Sequence, residues 1–244
     1  MLPKVAIVCA NYNYGRFIVE GMKSIQSQTY EGEIRLYIVD DGSSDDSWEK
    51  ISEFAKQDPE FVFAQRIENS GASVARNTAL AAAWEWADVF GILDADDSYK
   101  PNKVEKLVEK LVEYPEIGVA YGDYDIHRSY GNKHYIKYES KGSYCRRRLT
   151  SDCMVHSNAL IKKEYLEKVI LPNGEIFDSR LHGPASQGFI GCTEDYDLWL
   201  RLSQHCIICH VPESLSIVNE SGQNQSMKMT PEIFQQQAQI LGSR

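Results

Sequence analysis

No stretch of this chain approaches the roughly 20 consecutive apolar residues that a helix needs to cross a bilayer. The apolar opening from Val5 to Cys9 is short and meets Asn11 and Asn13 almost at once, which argues against a secretory leader. A cytoplasmic setting is expected, with peripheral membrane contact left open. Cysteine is sparse. Cys9, Cys145, Cys153, Cys192, Cys206 and Cys209 are scattered over 244 residues without the density of a disulfide framework, and they read as reduced thiols. No second pair follows Cys206 and Cys209 at zinc spacing. With His210 they spell C-x-x-C-H, the haem-attachment pattern, yet no second axial ligand is visible. The expectation there is a half-buried strand with Ile207 and Ile208 turned inward.

Positive charge is also short, with 26 Lys and Arg against 35 Asp and Glu for a net charge of -9. That balance excludes general nucleic-acid binding, which leaves a basic footprint. It also means that any bound polyanion would need a divalent cation beside it. The glycine fingerprints G-x-G-x-x-G and G-x-x-x-x-G-K-[ST] are both absent, so no glycine loop of either kind cradles a phosphate. There are no internal repeats.

What is present is a rhythm. Apolar runs at Val5–Cys9, Ile34–Val39, Phe61–Ile67, Val89–Leu93 and Ile117–Tyr121 alternate with amphipathic stretches. Those stretches predict helices over Gly15–Gln28, through Trp48, Ile51 and Phe54, over Ala72–Trp86 and over Pro101–Tyr114. Strands alternating with helices of this length imply an α/β fold, a mostly parallel sheet with helices on both faces. Ser44, Asp45 and Asp46 are cap candidates for the second helix, and Pro101 suits the first turn of the fourth.

After about Gly122 the rhythm changes. His127–Ser143 is polar and aromatic, with Gly131-Asn132 as a hairpin turn. Met154–Ile161 reads as a strand leading to a short helix over Lys163–Val169. Leu171–Gly191 is a glycine- and proline-containing loop long enough to bind something or close over it. A helix over Glu194–Ser203, a strand or pair over Ile207–Val218 and a terminal helix over Glu232–Leu241 complete the chain. The expected organisation is one domain over 1–220, divided at about 122, with 221–244 as a tail.

In an open α/β sheet, ligands bind outside the carboxyl ends of the strands. Four strand ends here carry polar residues: Ala10-Asn11-Tyr12-Asn13, Asp40-Asp41-Gly42-Ser43, Glu68-Asn69-Ser70-Gly71 with Arg76-Asn77 one turn on, and Asp94-Ala95-Asp96-Asp97. Each taken alone reads as a capped turn; their shared edge makes a site. Asp94-x-Asp96 offers hard oxygen ligands suited to Mg²⁺ or Mn²⁺, which keep one or two carboxylates and complete their shell with phosphate oxygens and water. Glu194-Asp195 opens a helix beside the long loop. The helix dipole favours carboxylates there, but the pair also suits a base that deprotonates an acceptor hydroxyl outside the metal cluster. His156 and His182 are lone histidines, more often packed than catalytic.

The chain resembles the inverting family-2 glycosyltransferases with the GT-A fold over roughly residues 4 to 220. The resemblance rests on Asn11-Tyr12-Asn13, Ser24 to Tyr30, Val39 to Asp45, Asn69 to Asn77, Leu93 to Asp97 and Glu194 to Arg201, in that order. It implies a Rossmann-like sheet with a smaller acceptor-side subregion and transfer of a sugar from a nucleotide-diphospho-sugar, a UDP-sugar favoured. The acceptor would be a hydroxyl on a glycan or polysaccharide precursor. Donor-binding residues so implied are Ala10, Asn11 and Tyr12 around the base, Asp41 accepting from it, Gly71, Arg76 near the base or diphosphate, Asp94 and Ala95. Asp96 would ligate Mn²⁺ or Mg²⁺ with Asp94 behind it, and Asp195 would be the general base supported by Glu194. Asn219 stands at about the position where many relatives carry a metal- or phosphate-binding histidine. Two other readings stay open: a sugar nucleotidyltransferase, for which Asn11 to Arg16 is a poor triphosphate loop, and a non-catalytic nucleotide-sugar-binding module.

Overall fold

A computed structural model describes residues 1–130, 133–140, 142–149, 153, 155, 157–181 and 193–220. The Gly131-Asn132 turn, His156, His182, Cys192, the loop beyond 181 and the helix expected over Glu232–Leu241 lie outside the described residues.

The strand β1 (Val5–Asn11) is apolar up to its last residue because it is buried from both sides. Ala6 and Val8 face one core, while Val5, Ile7 and Cys9 face another. Such two-sided burial is what turns a strand into a continuous apolar run rather than an alternating one. On one face pack α1 (Ile18–Gln26), α2 (Ser47–Gln57) and α4 (Lys103–Glu113), through Ile18, Met22, Ile25, Ile51, Val104 and Leu107. On the other lies α3 (Ala72–Ala83), whose Ala75, Ala79 and Ala83 let it approach the sheet closely. The same core receives α7 (Glu194–Leu202) through Leu198, Trp199 and Leu202.

The other strands are β2 (Ile34–Asp40), β3 (Val62–Arg66), β4 (Val89–Asp94), β5 (Ser98–Tyr99), β6 (Ile117–Tyr130), β7 (Lys133–Glu139), β8 (Leu160–Lys162) and β9 (Ile207–Glu220). They form one nine-stranded sheet in the order β3-β2-β1-β4-β8-β6-β9-β5, with β7 paired to β6. β1, β2, β3, β4, β6 and β9 run one way, and β5, β7 and β8 run the other. The mostly parallel α/β sheet expected from the alternation is present.

Local differences have local causes. β6 is fourteen residues long and passes well beyond Tyr121, because β7 and β9 supply it with partners out to Tyr130 and Arg128. β8 begins only at Leu160, since Ser157 and Asn158 spend their side chains on Asp94 and Asp97 instead of extending the strand. Pro101 sits ahead of α4, whose cap position is Asn102. Asp45, rather than the cap residue Asp46, accepts from the Ser47 N–H at the start of α2. Two short helices, α5 (Arg146–Leu149) and α6 (Lys163–Leu166), and a 3-10 turn at Glu167–Val169 are the remaining elements among the described residues. Ile207 is 51% exposed while Ile208 is buried, so the two point oppositely as strand neighbours must, and not both inward. Cys9, Cys145, Cys153, Cys206 and Cys209 are free thiols. Among the described residues no helix is long and apolar enough to cross a membrane.

Candidate active site

Parallel pairing brings the strand ends to one edge. Asn11 lies opposite Asp40, Asp40 opposite Arg66, and Ala10 opposite Asp94. Four segments far apart in sequence therefore deliver polar side chains in one row.

At the β1–β2 end those side chains bind one another. Asn11 Nδ2 donates to Asp40 Oδ2 (2.8 Å) and Ser43 Oγ (3.1 Å), leaving Asn11 Oδ1 buried without a partner among the described residues. Asn13 adopts φ 61° and accepts from the Ser44 N–H at 2.8 Å. Asp40 also lies 3.4 Å from Arg66 Nε. Ala10 and Tyr12 are partly exposed beside this knot.

Asp41 is buried and accepts from the Ser70 N–H (2.7 Å), the Gly71 N–H (2.9 Å) and Asn69 Nδ2 (3.1 Å). It thereby holds the loop that enters α3. Glycine is required twice nearby. Gly42 has φ 74°, and a Cβ there would lie 2.9 Å from the Asn69 nitrogen. Gly71, at the cap position of α3, has φ 95°.

The Asp94–Asp97 turn is not a solvated one. Ala95, Asp96 and Asp97 are all buried. Asp97 accepts from Asn158 Nδ2 (2.9 Å) and the Asn219 N–H (3.3 Å), while Asn219 Nδ2 donates to the Asp96 carbonyl (2.7 Å). Asp94 accepts from Ser157 Oγ (2.5 Å), and its N–H donates to Asn158 Oδ1 (3.2 Å). Burial first, and the charge of Asp94 second, push the Asp96 carboxyl up to about 7. Burial with the charges of Asp96 and Asp94 holds Asp97 well above the carboxylate range, outweighing its two donors. Behind the turn, Lys103 is buried with Nζ donating to Ser216 Oγ (2.6 Å) and lying 3.6 Å from the Tyr99 ring centroid. Burial drives its ammonium well below the usual lysine range, against the pull of Asp97.

Arg76 joins the two acidic pairs. Its Nη2 donates to Asp94 Oδ1 (2.8 Å) and its Nη1 to Glu194 Oε1, while Nε is buried without a partner among the described residues. Burial opposes the charge, but Glu194 and Asp94 outweigh it and hold the guanidinium firmly protonated. Asp195 follows in the first turn of α7, with Oδ1 accepting from the Tyr196 N–H (2.7 Å). Burial, then the charge of Glu194, push its carboxyl up to about 7 against Arg76. Asp197, the third acid of that turn, is buried in an ion pair with Arg201 (2.8 Å) and serves the helix.

Several residues that matter here escaped the sequence reading. Ser157 and Asn158 interrupt an apolar run, which was their signal. Asn77 accepts from the Phe177 N–H (2.9 Å) and donates to the Phe177 carbonyl (2.7 Å), and Arg201 Nη2 reaches the Ile176 carbonyl (2.6 Å). The start of the long loop is thus a docked segment, with Phe177 5.5 Å from the Arg76 guanidinium.

A divalent cation suits this chemistry within limits. Among the described residues no group of three or more His, Cys, Asp or Glu could cage a metal alone. Mg²⁺, however, is usually held by one or two carboxylates plus phosphate oxygens. The carboxyls of Asp96 and Asp97 are raised first by burial and then by neighbouring carboxylates, and a cation beside them would oppose both effects. The donor set fits a hard cation that arrives with a diphosphate.

The family model for glycosyl transferase family 2 matches residues 6–170, well over half of the chain, and the protein belongs to that family. Glycosyltransferase GlyG of Streptococcus pneumoniae is 30% identical over 194 residues, 73% of this chain and 63% of that protein. Among solved structures, S. aureus TarS 1-349 in complex with UDP-GlcNAc matches with TM-score 0.69 at 14% identity, covering 93% of this chain and 61% of that one. Mannosyltransferase PcManGT from Pyrobaculum calidifontis, in complex with GDP-Man and Mn²⁺, matches with TM-score 0.64 at 18% identity, covering 91% and 57%. At such identities the two structures establish the shared GT-A fold. The chain spans less than two thirds of the length of these relatives.

Proposed function

We infer that the chain is an inverting glycosyltransferase that moves a sugar from a nucleotide-diphospho-sugar, a UDP-sugar favoured, to an acceptor hydroxyl on a glycan precursor. The observation that carries this reading is the Arg76 bridge, which ties the strand-end Asp94 to Glu194 beside Asp195. A base and a leaving-group site must lie on either side of one reacting carbon, and this bridge joins two such elements. Family membership supports the donor class, as do the UDP-GlcNAc and GDP-Man complexes of the structural neighbours.

In this reading residues 1–122 hold the donor and 123–220 face the acceptor. Ala10, Asn11 and Tyr12 border the base, and Asp41 accepts from it. Gly71, Ala95 and Arg76 border the sugar diphosphate. Asp195 takes the proton of the acceptor hydroxyl as that oxygen bonds to the anomeric carbon. The bond to the diphosphate oxygen breaks on the opposite face, and the configuration inverts. Mn²⁺ or Mg²⁺, when bound, neutralises the leaving diphosphate. Asp96 is the residue assigned to hold it, with Asp94 behind it, as the family resemblance implies; Asp97 is turned to Asn158 and Asn219. A cytoplasmic setting fits the free thiols.

A thermal-shift screen of nucleotide sugars with and without Mn²⁺ tests the reading. A ligand that binds only the folded state raises the melting temperature, with about 2.7 kcal/mol of stabilisation at a hundred times Kd. Stabilisation by one nucleotide-diphospho-sugar in the presence of Mn²⁺ is expected. Stabilisation by nucleoside triphosphates alone would favour the nucleotidyltransferase instead. Donor binding without transfer to any hydroxyl would favour the non-catalytic module.

A further inference from the structure

The β6–β7 hairpin belongs to the acceptor-side half but lies beyond the active-site edge, and none of its residues carries a chemical role above. β4 and β6 are in register through β8, with Gly91 and Ala120 both opposite Leu160. β4 stops at Asp94, whereas β6 continues to Tyr130. The hairpin therefore extends about seven residues further, roughly 20 Å at ~3.3 Å per residue, from the edge that carries Asp94.

Among the described residues β7 pairs with β6, and its side chains from His134 to Tyr138 are exposed on both faces. Tyr135, Ile136 and Tyr138 are 51%, 69% and 54% exposed. An edge strand bearing apolar side chains in water is a liability unless something covers it. The charge around it runs against the rest of the chain. Residues 128–148 hold seven Lys or Arg and one carboxylate, Glu139, in a protein of net charge -9, with Arg128 engaged by Glu220 of β9. That carboxylate is met by Lys137 at 2.7 Å. Arg146, Arg147 and Arg148 are all exposed. Their segment is fastened to the hairpin's base by Tyr121 Oη, which donates to the Gly142 carbonyl at 2.9 Å.

Exposed tyrosines and an isoleucine beside clustered arginines have the composition of a membrane-interface contact, where rings settle at headgroup level and cations meet anionic lipid. A soluble polyanion would engage the arginines but leave Ile136 in water. We propose that the β6–β7 hairpin and the Arg146–Arg148 run dock this chain on an anionic lipid surface, with the active-site edge turned toward it. The proposal stands apart from the glycosyl-transfer reading, since neither donor nor acceptor enters it.

Cosedimentation of the whole chain with vesicles tests it, using phosphatidylcholine alone and phosphatidylcholine mixed with phosphatidylglycerol. Partition onto the anionic vesicles only, weakening as salt rises, is expected. Replacing Arg146, Arg147 and Arg148 by Ser should lower the partition about five-fold each and about a hundred-fold together. Ile136→Ser, at an exposed site, should weaken it with no charge change. Equal partition onto both vesicle types, no partition, or unaltered partition of these variants overturns the proposal. So does capture by inorganic polyphosphate, or a dimer dispersed by Ile136→Ser, where vesicles do not bind.

Discussion

Arg76 and Glu194 stand 118 positions apart in sequence and share a buried hydrogen-bonded ion pair, with Asp94 on the other arm of the same guanidinium. Removing one partner from such a pair leaves an uncompensated buried charge, which costs more than the intact pair contributes. Arg76→Ala should therefore lose about 3–5 kcal/mol of stability in urea unfolding. Adding Glu194→Gln to that variant should recover part of the loss. A single variant as stable as the parent would show that the bridge does not persist in solution.

Asp195→Asn separates catalysis from stability. With the base gone, transfer should fall by about 10²–10⁴-fold while calorimetric donor binding stays close to the parent's. Equal loss of both would make the residue structural.

The same carboxyl sets a pH dependence. Its folded value of about 7 lies above the ordinary 3.8, so the folded state favours the protonated form. The stability this contributes is full below 3.8 and is lost as pH rises through about 7. Asp195→Asn should consequently be more stable than the parent at pH 8, by about 1–3 kcal/mol, with the gap closing below pH 4. In the parent, kcat/KM should rise with pH through about 7 as the base ionises. A flat profile across that window would remove Asp195 from the role.

Asp96 and Asp97 are neighbours with different expected behaviour. Asp96→Asn should abolish the effect of Mn²⁺ on donor binding without destabilising the fold, since its carboxyl, like that of Asp195, is raised to about 7 and favours the neutral form. Asp97→Ala should instead destabilise the fold by about 1–3 kcal/mol, because Asn158 Nδ2 and the Asn219 N–H lose their acceptor. Calorimetry after chelation and Mn²⁺ add-back, beside thermal melts, reads both. Donor binding indifferent to chelation would refute the assignment to Asp96.

Asp41→Ala leaves the Ser70 and Gly71 N–H groups without their acceptor. A cost of about 2–3 kcal/mol is expected, with weaker donor binding because the entry to α3 loosens. Thermal melts and nucleotide titration together check it.

Much of the site was legible because parallel strands are buried on both faces. Continuous apolar runs such as Val5–Cys9 mark them, and whatever polar residues follow must share one edge. Asn11, Asp41, Asp94 and Asp96 were found in that way. Ser157 and Asn158 were not, since two polar residues in an apolar run read as a strand until their partners Asp94 and Asp97 are seen. Asn77 was visible as part of a motif but not as the clamp on Phe177, which is a contact across 100 positions.

By itself the chain's order of residues determined the α/β alternation, the acidic strand ends and the first turn of α7, because period, composition and local capping act over a few residues. Tertiary structure decided what each acid does. Asp41 orders a loop, Asp97 faces inward, Asp197 belongs to Arg201, and Arg76 lies between Asp94 and Glu194. A carboxylate's environment is set by which donors and charges fold against it, and those come from elements distant along the chain.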